Sequence, residues 1–433
     1  MIRTIHRAKF VLAESDLLLQ NAAIHVSDPG RISRLEPWHG PPADREVEVI
    51  DWGCAAILPG FVNAHAHLDL TDFHNQIGDF TSFTDWLMQL VRKRRQWTVE
   101  DYRRSVHRGA VLALSCGTTL VGDISSGGVT SQALQSEKLR KVVFEESLGL
   151  RPEDATAEAV SLEKRLACIA LDPLLALGVS PHATYSVSPR LFAEVAELAR
   201  QKGILIATHV AETSAELQFL QTGRGEFRDF LTQLGVLPPD WMPPRVTPIT
   251  YLDQMGILEQ SPLLIHGNYL DAESMSQIHS SQCSVVYCPR SHAYFGFDRH
   301  PVRELLDLGV NVALGTDSLA SNDSLSVLDE MRFLFDRRKD LNCGEIWRMA
   351  TLNGASALRY GGLLGRLRRG YWADMAILQL PEQVIPRNLT AQILEGAGEC
   401  VATIVAGKLV WQKDEIRPCR QPGNWEQRSG ISP

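Results

Sequence analysis

His65-Ala66-His67 sets two imidazoles two residues apart. On a strand such residues share a face, so both rings can reach one metal ion. An HxH pair alone is weak evidence, because surface pairs are common. Here it ends an apolar run, residues 58–64, and the same arrangement recurs along the chain. His209 closes the run 204–208, with Glu212 three residues later; His266 closes 263–265; His182 follows 174–180; Asp317 follows 310–316. Aspartate is seldom buried unless paired or coordinated. Three neutral nitrogen donors and one carboxylate suit a divalent transition metal, Zn2+ first and Fe2+ second, with one position open for water. Such a site lowers the pKa of its water towards about 7.

These residues need a scaffold that brings strand ends together. Eight apolar runs, at 61–65, 119–123, 142–146, 174–180, 204–209, 263–266, 284–288 and 310–315, alternate with longer amphipathic segments, among them 105–115, 190–202, 216–234, 302–308 and 325–338. Alternation of this kind predicts a parallel sheet. Eight repeats over about 310 residues fit an α/β fold, the (β/α)8 TIM barrel, whose active sites sit at the C-terminal rim of the strands. Nearly every run ends on an ionisable or metal-capable residue: His65 and His67, Asp123, Glu145 and Glu146, His182, His209 and Glu212, His266, Asp317. A doubly wound sheet is the competitor, but no GxGxxG follows the first strand.

The two ends of the chain have a different grammar. Short alternating strands at 9–13, 17–25, 32–37 and 47–52 are answered by others at 373–378 and 401–411. This predicts a small discontinuous β-sandwich, residues 1–58 with 369–417, around a barrel at 59–368, and a flexible tail at 418–433. The 433 residues are 44% hydrophobic, enough for a large core, and carry 43 Lys+Arg against 51 Asp+Glu. A net charge of −8 speaks against nucleic acid as a partner. The longest basic run, residues 92–95, is expected on the solvated face or end of a helix. Eight scattered cysteines without a CxxC pair predict a reducing, cytoplasmic setting. No run is long and apolar enough to span a membrane, and Glu14, Ser15 and Asp16 interrupt any signal-peptide core. A small-molecule substrate and water are the expected partners, and a homodimer is compatible with all of this. Trp241, among Pro238, Pro239, Pro243 and Pro244, marks a long loop suited to a lid or subunit contact.

Taken together, the segments 58–67, 180–188 (Ser-Pro-His-Ala-Thr-Tyr-Ser-Val-Ser), 209–213 (His-Val-Ala-Glu-Thr), 266–268 (His-Gly-Asn) and 315–318 (Gly-Thr-Asp-Ser) resemble the amidohydrolase superfamily in its metal-dependent deaminase branch, the group related to cytosine deaminases and triazine hydrolases. The resemblance covers nearly the whole chain and implies the barrel with its terminal sandwich. It also implies His65, His67, His209 and Asp317 as metal ligands, Glu212 as the acid that protonates a ring nitrogen, and His266 as the group that orients the attacking water. Asp317 and His266 would take the water's proton, and His182 would contact substrate. Binuclear members carry a carboxylated lysine on the fourth strand. Residues 174–188 contain none, and Lys141 opens the third run at the opposite rim, so one metal is implied.

For the substrate, residues 63–70, 288–292 and 316–326 are most similar to aminodeoxyfutalosine deaminases of menaquinone biosynthesis. That resemblance implies an adenine nucleoside bearing a benzoate, with Trp86 against the nucleoside and Arg290 and His292 as rim cations. Thr84 stands where methylthioadenosine deaminases have a ribose-binding Glu, which disfavours methylthioadenosine or adenosylhomocysteine. Two rival classes remain: a triazine or amide hydrolase of the same superfamily, and a catalytically silent metal-binding barrel. Glu212 beside the full ligand set argues against the second.

Overall fold

The computed structural model describes residues 2–42, 47–170, 172–415 and 418–421. Its centre is a parallel eight-stranded sheet: Phe61–Ala66, Thr118–Ser125, Arg140–Ser147, Leu175–Pro181, Leu205–Val210, Leu263–His266, Ser284–Tyr287 and Asn311–Leu314, each paired with the next in chain order. All eight lie on the expected runs. The first and last strands meet where Ala66 bridges Asp317. There the amides of Thr316 and Asp317 both donate to the His65 carbonyl at 3.1 Å. The Asn63 side chain donates to the Thr316 hydroxyl at 2.7 Å and accepts from its backbone N–H at 3.1 Å.

The alternation within each run explains why it folds so. Val62, Leu120, Phe144, Ala207, Ile265 and Val286 cluster inside the barrel, while their strand neighbours Val121, Val143, Ile206, Leu264 and Val285 pack the surrounding helices. Side-chain size is matched across strands. A Cβ on Gly178 would lie 2.4 Å from the Phe144 ring, so glycine there makes room for the phenyl group.

Four of the five expected helices form near their predicted places, as Val99–Ser115, Pro189–Lys202, Val302–Asp307 and Val327–Arg337. The helix Pro189–Lys202 shows why. The Ser188 hydroxyl accepts from the Leu191 amide, Pro189 opens the first turn, and Gly203 stops the helix at φ +64°. The expected helix 216–234 is two helices, Ser214–Thr222 and Glu226–Gln233. Gly223 and Gly225 take positive φ between them, and hydrophobic periodicity does not register such a break.

The second sheet draws on both ends of the chain. Its nine strands include Ile2–Glu14, Leu17–Ser27, Arg31–Pro37, Ala55–Pro59 and Met375–Gln379. The expected single strand at 401–411 is a hairpin, Glu399–Val405 with Lys408–Gln412, turned by Ala406 at φ +48° and Gly407 at φ +73°. The first residues of the expected tail form a strand. Cys419–Gln421 pairs antiparallel with Glu48–Asp51, whose edge would otherwise lack a partner on that side. Residues 422–433 lie outside the described residues.

A buried ion pair joins the two sheets. Arg140, which opens the third barrel strand, makes a two-pronged contact with Asp374 at 3.0 and 3.1 Å, both side chains 2% exposed. The Trp372 ring lies against the guanidiniums of Arg140 and Arg31. Removing one partner leaves the other charge buried without compensation, at a cost of about 3–5 kcal/mol. Asp374→Ala is therefore expected to destabilise by that amount in urea unfolding, and Arg140→Met with Asp374→Leu to recover most of it. A loss below about 1 kcal/mol for the single variant would show the pair to be dispensable.

Candidate active site

At the C-terminal rim the strand ends converge on a cavity of 390 Å3. His65 comes from the first strand and His67 directly follows it; His182 comes from the turn after the fourth, and His209 from the fifth. Glu212 sits just beyond that strand, His266 ends the sixth, and Asp317 follows the eighth. The ring centroids of His65 and His67 are 4.8 Å apart, those of His65 and His209 5.0 Å, and those of His209 and His266 5.5 Å. Asp317 Oδ1 lies 3.6 Å from His65 Nε2 and 3.8 Å from His67 Nε2. Two overlapping triads, His65–His67–Asp317 and His65–His209–His266, each offer donor atoms within 4.8 Å of one another.

The hydrogen bonds around this cluster leave the right atoms free. His209 Nδ1 donates to the His182 carbonyl at 3.0 Å, which leaves the other ring nitrogen turned to the centre. Both ring nitrogens of His65 are buried with no hydrogen-bond partner among the described residues. Native proteins rarely leave a buried polar atom so; a bound metal ion would satisfy one of the two. Asp317 Oδ2 accepts from the hydroxyls of Ser291 at 2.7 Å and Ser321 at 3.3 Å, and Oδ1 from the Ser318 amide. Burial pushes His67 and His209 well below the usual imidazole range, which keeps them neutral. Burial alone would raise Asp317, but the imidazoles of His65, His266 and His67 hold it well below the usual carboxylate range. The donor set thus fits one divalent cation. Lys141 takes no part, being buried at the other rim with its amine 3.2 Å from Asp172.

Glu212 is the exception in charge. Burial, then the neighbouring Asp317 and Glu216, push its carboxyl well above the ordinary range, so it favours the protonated form. Its Oε1 is 3.4 Å from His266 Nε2. The loop that carries it is pinned by Glu216, whose carboxylate accepts from the amides of Ala211 at 3.0 Å and Glu212 at 2.8 Å.

Away from the histidines the cavity wall is apolar and aromatic, with Trp86, Tyr185, Phe230 and Phe295 among its members. Trp86 belongs to the helix Phe83–Arg94. Thr84 does not face the cavity; its hydroxyl donates to Glu226 at 3.2 Å, so it carries no information about a ribose. The expected rim cations Arg290 and His292 lie apart from this lining. Both are carried by the short helix Pro289–Tyr294, and neither is among the residues lining the cavity. Arg290 donates to Ser324 at 2.8 Å and pairs with Asp323 at 3.2 Å. His292 lines a separate hollow of 490 Å3, set against the Tyr287 ring. Trp241 stacks flat on Phe219 at 4.3 Å, so its loop is packed against the chain's own surface.

The structure also supplies a cation that sequence reasoning assigned to solvent. Arg94 lines the cavity, the one Lys or Arg to do so among the described residues. Its guanidinium stands 3.8 Å from Asp69 and close enough to Glu146 for the acids to raise its proton affinity. The signal was present. Phe83, Trp86, Leu87, Leu90, Val91 and Arg94 all line the cavity and follow helical spacing, so Arg94 extends an apolar stripe.

The position of His292 has a pH consequence. Burial pushes its pKa down to about 4, from 6.5. A depressed imidazole contributes stability in full above its unfolded pKa and loses it as pH falls through the folded one. Thermal melts should therefore show wild type losing ground to His292→Phe between about pH 7 and pH 4. Parallel curves would mean that His292 is not buried as described.

Comparison with known proteins agrees with this geometry. The Amidohydrolase family model matches residues 56–410. A 5-methylthioadenosine/S-adenosylhomocysteine deaminase of Pyrococcus furiosus is 28% identical over 94% of this chain and 93% of its own length. Helicobacter pylori aminofutalosine deaminase, solved with methylthio-coformycin, superposes with a TM-score of 0.81 at 24% identity, covering 94% of this chain and all of that one. A Xanthomonas campestris adenosine deaminase with bound zinc gives 0.79 at 23% identity, over 95% and 94%. With the barrel, the terminal sheet and a family match across most of its length, the chain belongs to the amidohydrolase family.

Proposed function

We propose that this chain is a mononuclear metal-dependent hydrolytic deaminase of an adenine nucleoside, and that its preferred substrate is 6-amino-6-deoxyfutalosine. The observation that carries the deaminase reading is a protonated-leaning Glu212 in the same cavity as His67, His209 and Asp317, with His65 grouped beside them. The names of the relatives, deaminases of adenosine-type nucleosides, support the class.

His65, His67, His209 and Asp317 would hold the ion, Zn2+ or Fe2+. Bound there, it would act as a Lewis acid and make water nucleophilic at neutral pH. Glu212 gives its proton to the ring nitrogen next to C6, which draws electron density from C6 and opens it to water. Asp317 and His266 take the proton that water loses as the C–O bond forms. Glu212, now a carboxylate, takes the remaining hydroxyl proton while Asp317 passes its proton to the exocyclic nitrogen; the C6–N bond breaks with its electron pair on nitrogen, and ammonia leaves. The product carries a carbonyl at C6. Carboxyl groups with proton affinities pushed apart, one up and one down, suit an acid and a base in one site.

Arg94 supports the benzoate-bearing nucleoside, since it supplies the cation that Arg290 and His292 do not. A second reading, methylthioadenosine or adenosylhomocysteine, is favoured by the apolar outer wall and by Asp69 and Glu146, which offset the charge of Arg94. A panel of aminodeoxyfutalosine, methylthioadenosine, adenosylhomocysteine, adenosine, free adenine and an aminotriazine decides between them. Turnover is followed by the adenine-to-hypoxanthine absorbance change and by ammonia release. The highest kcat/KM is expected for aminodeoxyfutalosine. Methylthioadenosine leading by about tenfold (~1.4 kcal/mol) would transfer the assignment, and no turnover of any aminopurine would end the deaminase claim. Glu212→Gln is expected to keep its metal stoichiometry while kcat falls about 10²- to 10⁴-fold. Asp317→Asn should lose both metal and activity, and full activity would remove it from the ligand set.

A further inference from the structure

His266 takes φ +72°, a left-handed backbone that an imidazole-bearing residue adopts at a cost of about 1–3 kcal/mol. The sheet alone does not secure that peptide. Gly267 N–H donates to the Val210 carbonyl, and the His266 carbonyl finds its partner outside the sheet. It meets His300, whose Nε2 lies 2.8 Å from the His266 carbonyl oxygen. A carbonyl can only accept, so Nε2 carries the hydrogen.

His300 is itself held firmly. It is fully buried, and its ring stacks on Tyr287 at 3.9 Å with 19° between the planes. Its own carbonyl accepts from Arg338 at 3.0 Å, and Asp340 fixes that guanidinium through two more hydrogen bonds. The other ring nitrogen, Nδ1, is buried with no partner among the described residues. A buried acceptor without a partner costs about 1–3 kcal/mol. Phenylalanine would stack on Tyr287 without that cost but could not donate. The one thing the imidazole adds is the hydrogen bond to His266.

We infer that His300 is a positioning residue: it clamps the left-handed peptide of His266 and so aims the His266 ring at Glu212 and the reacting centre. This rests on the deaminase reading for its kinetic consequence, though not for its geometric one. Misplacement of a reacting group by about 1 Å can cost 10²-fold in rate, while substrate binding by the far wall is untouched.

The test compares His300→Phe, which keeps size and stacking, with His300→Gln, which restores a donor near the position of Nε2. In the metal-loaded enzyme, His300→Phe is expected to lose about 10- to 100-fold in kcat with KM within about twofold, and Gln to recover most of the loss. A crystal structure of His300→Phe should show the His266 Nε2 to Glu212 Oε1 distance opened beyond 3.4 Å. Wild-type kcat and unchanged His266 geometry in His300→Phe would overturn the inference. So would equal losses in Phe and Gln that track a lowered Tm. Should His300→Phe fail to fold, His300→Ala with added imidazole takes its place, since the hollow lined by His300 gives the small molecule a way in. Recovery of kcat there, and none in wild type, supports the clamp; no recovery counts against it. Wild type inactive on every nucleoside would sink the deaminase reading alone, because the crystallographic comparison needs no substrate.

Discussion

The seam between the first and eighth barrel strands is the contact on which the rest depends. His65 and Asp317 are far apart in sequence, yet the His65 carbonyl accepts from the Thr316 and Asp317 amides. Closing so long a segment costs chain entropy before any local reward, and the barrel repays it with buried strands all round. Asn63 adds a side-chain pair to the same seam. The backbone that joins the barrel ends is therefore the backbone that carries a candidate metal ligand from each end. A slip of one residue would turn His65 or His67 to the wrong face.

Around this seam the rim holds backbone that the chain would not adopt alone. Ala211, His266 and Asp317 all have positive φ. Each is held by contacts made elsewhere. Glu216 grips the amides of Ala211 and Glu212, His300 meets the His266 carbonyl, and Ser291 and Ser321 bind the Asp317 carboxylate. Strain of this kind persists only where the surroundings over-determine it, and it lets short strands deliver side chains to a common point.

Burial then separates the chemistry of like groups. Among the carboxyls that line the cavity, Glu212 and Asp317 have proton affinities that move in opposite directions. Imidazoles around Asp317 favour its anion, whereas Glu212, facing Asp317 and Glu216, favours its acid. The histidines are driven neutral by the same loss of water. An acidic chain thereby keeps a site in which charge is set locally, and the net −8 says little about what binds there.

The barrel, the terminal sheet and the convergence of His65, His67, His209, Glu212, His266 and Asp317 were legible in the sequence, because strand periodicity and strand-end position are local properties. A residue that ends an apolar run in a parallel barrel has one rim to go to. Helices and connecting segments obey no such rule. Whether Arg94 faces the cavity and Arg290 does not depends on which way a helix rolls against its neighbours. That roll is decided by the packing of Phe83, Trp86 and Leu90 against distant residues such as Phe227 and Phe295. His300 is the clearest case: nothing near it in sequence marks it, and its place behind His266 exists only once the sixth and seventh strands lie side by side. Sequence by itself determined the scaffold and the atoms that meet on it. Tertiary structure decided which charged groups line the cavity, because that depends on long-range packing, which short-range patterns do not encode.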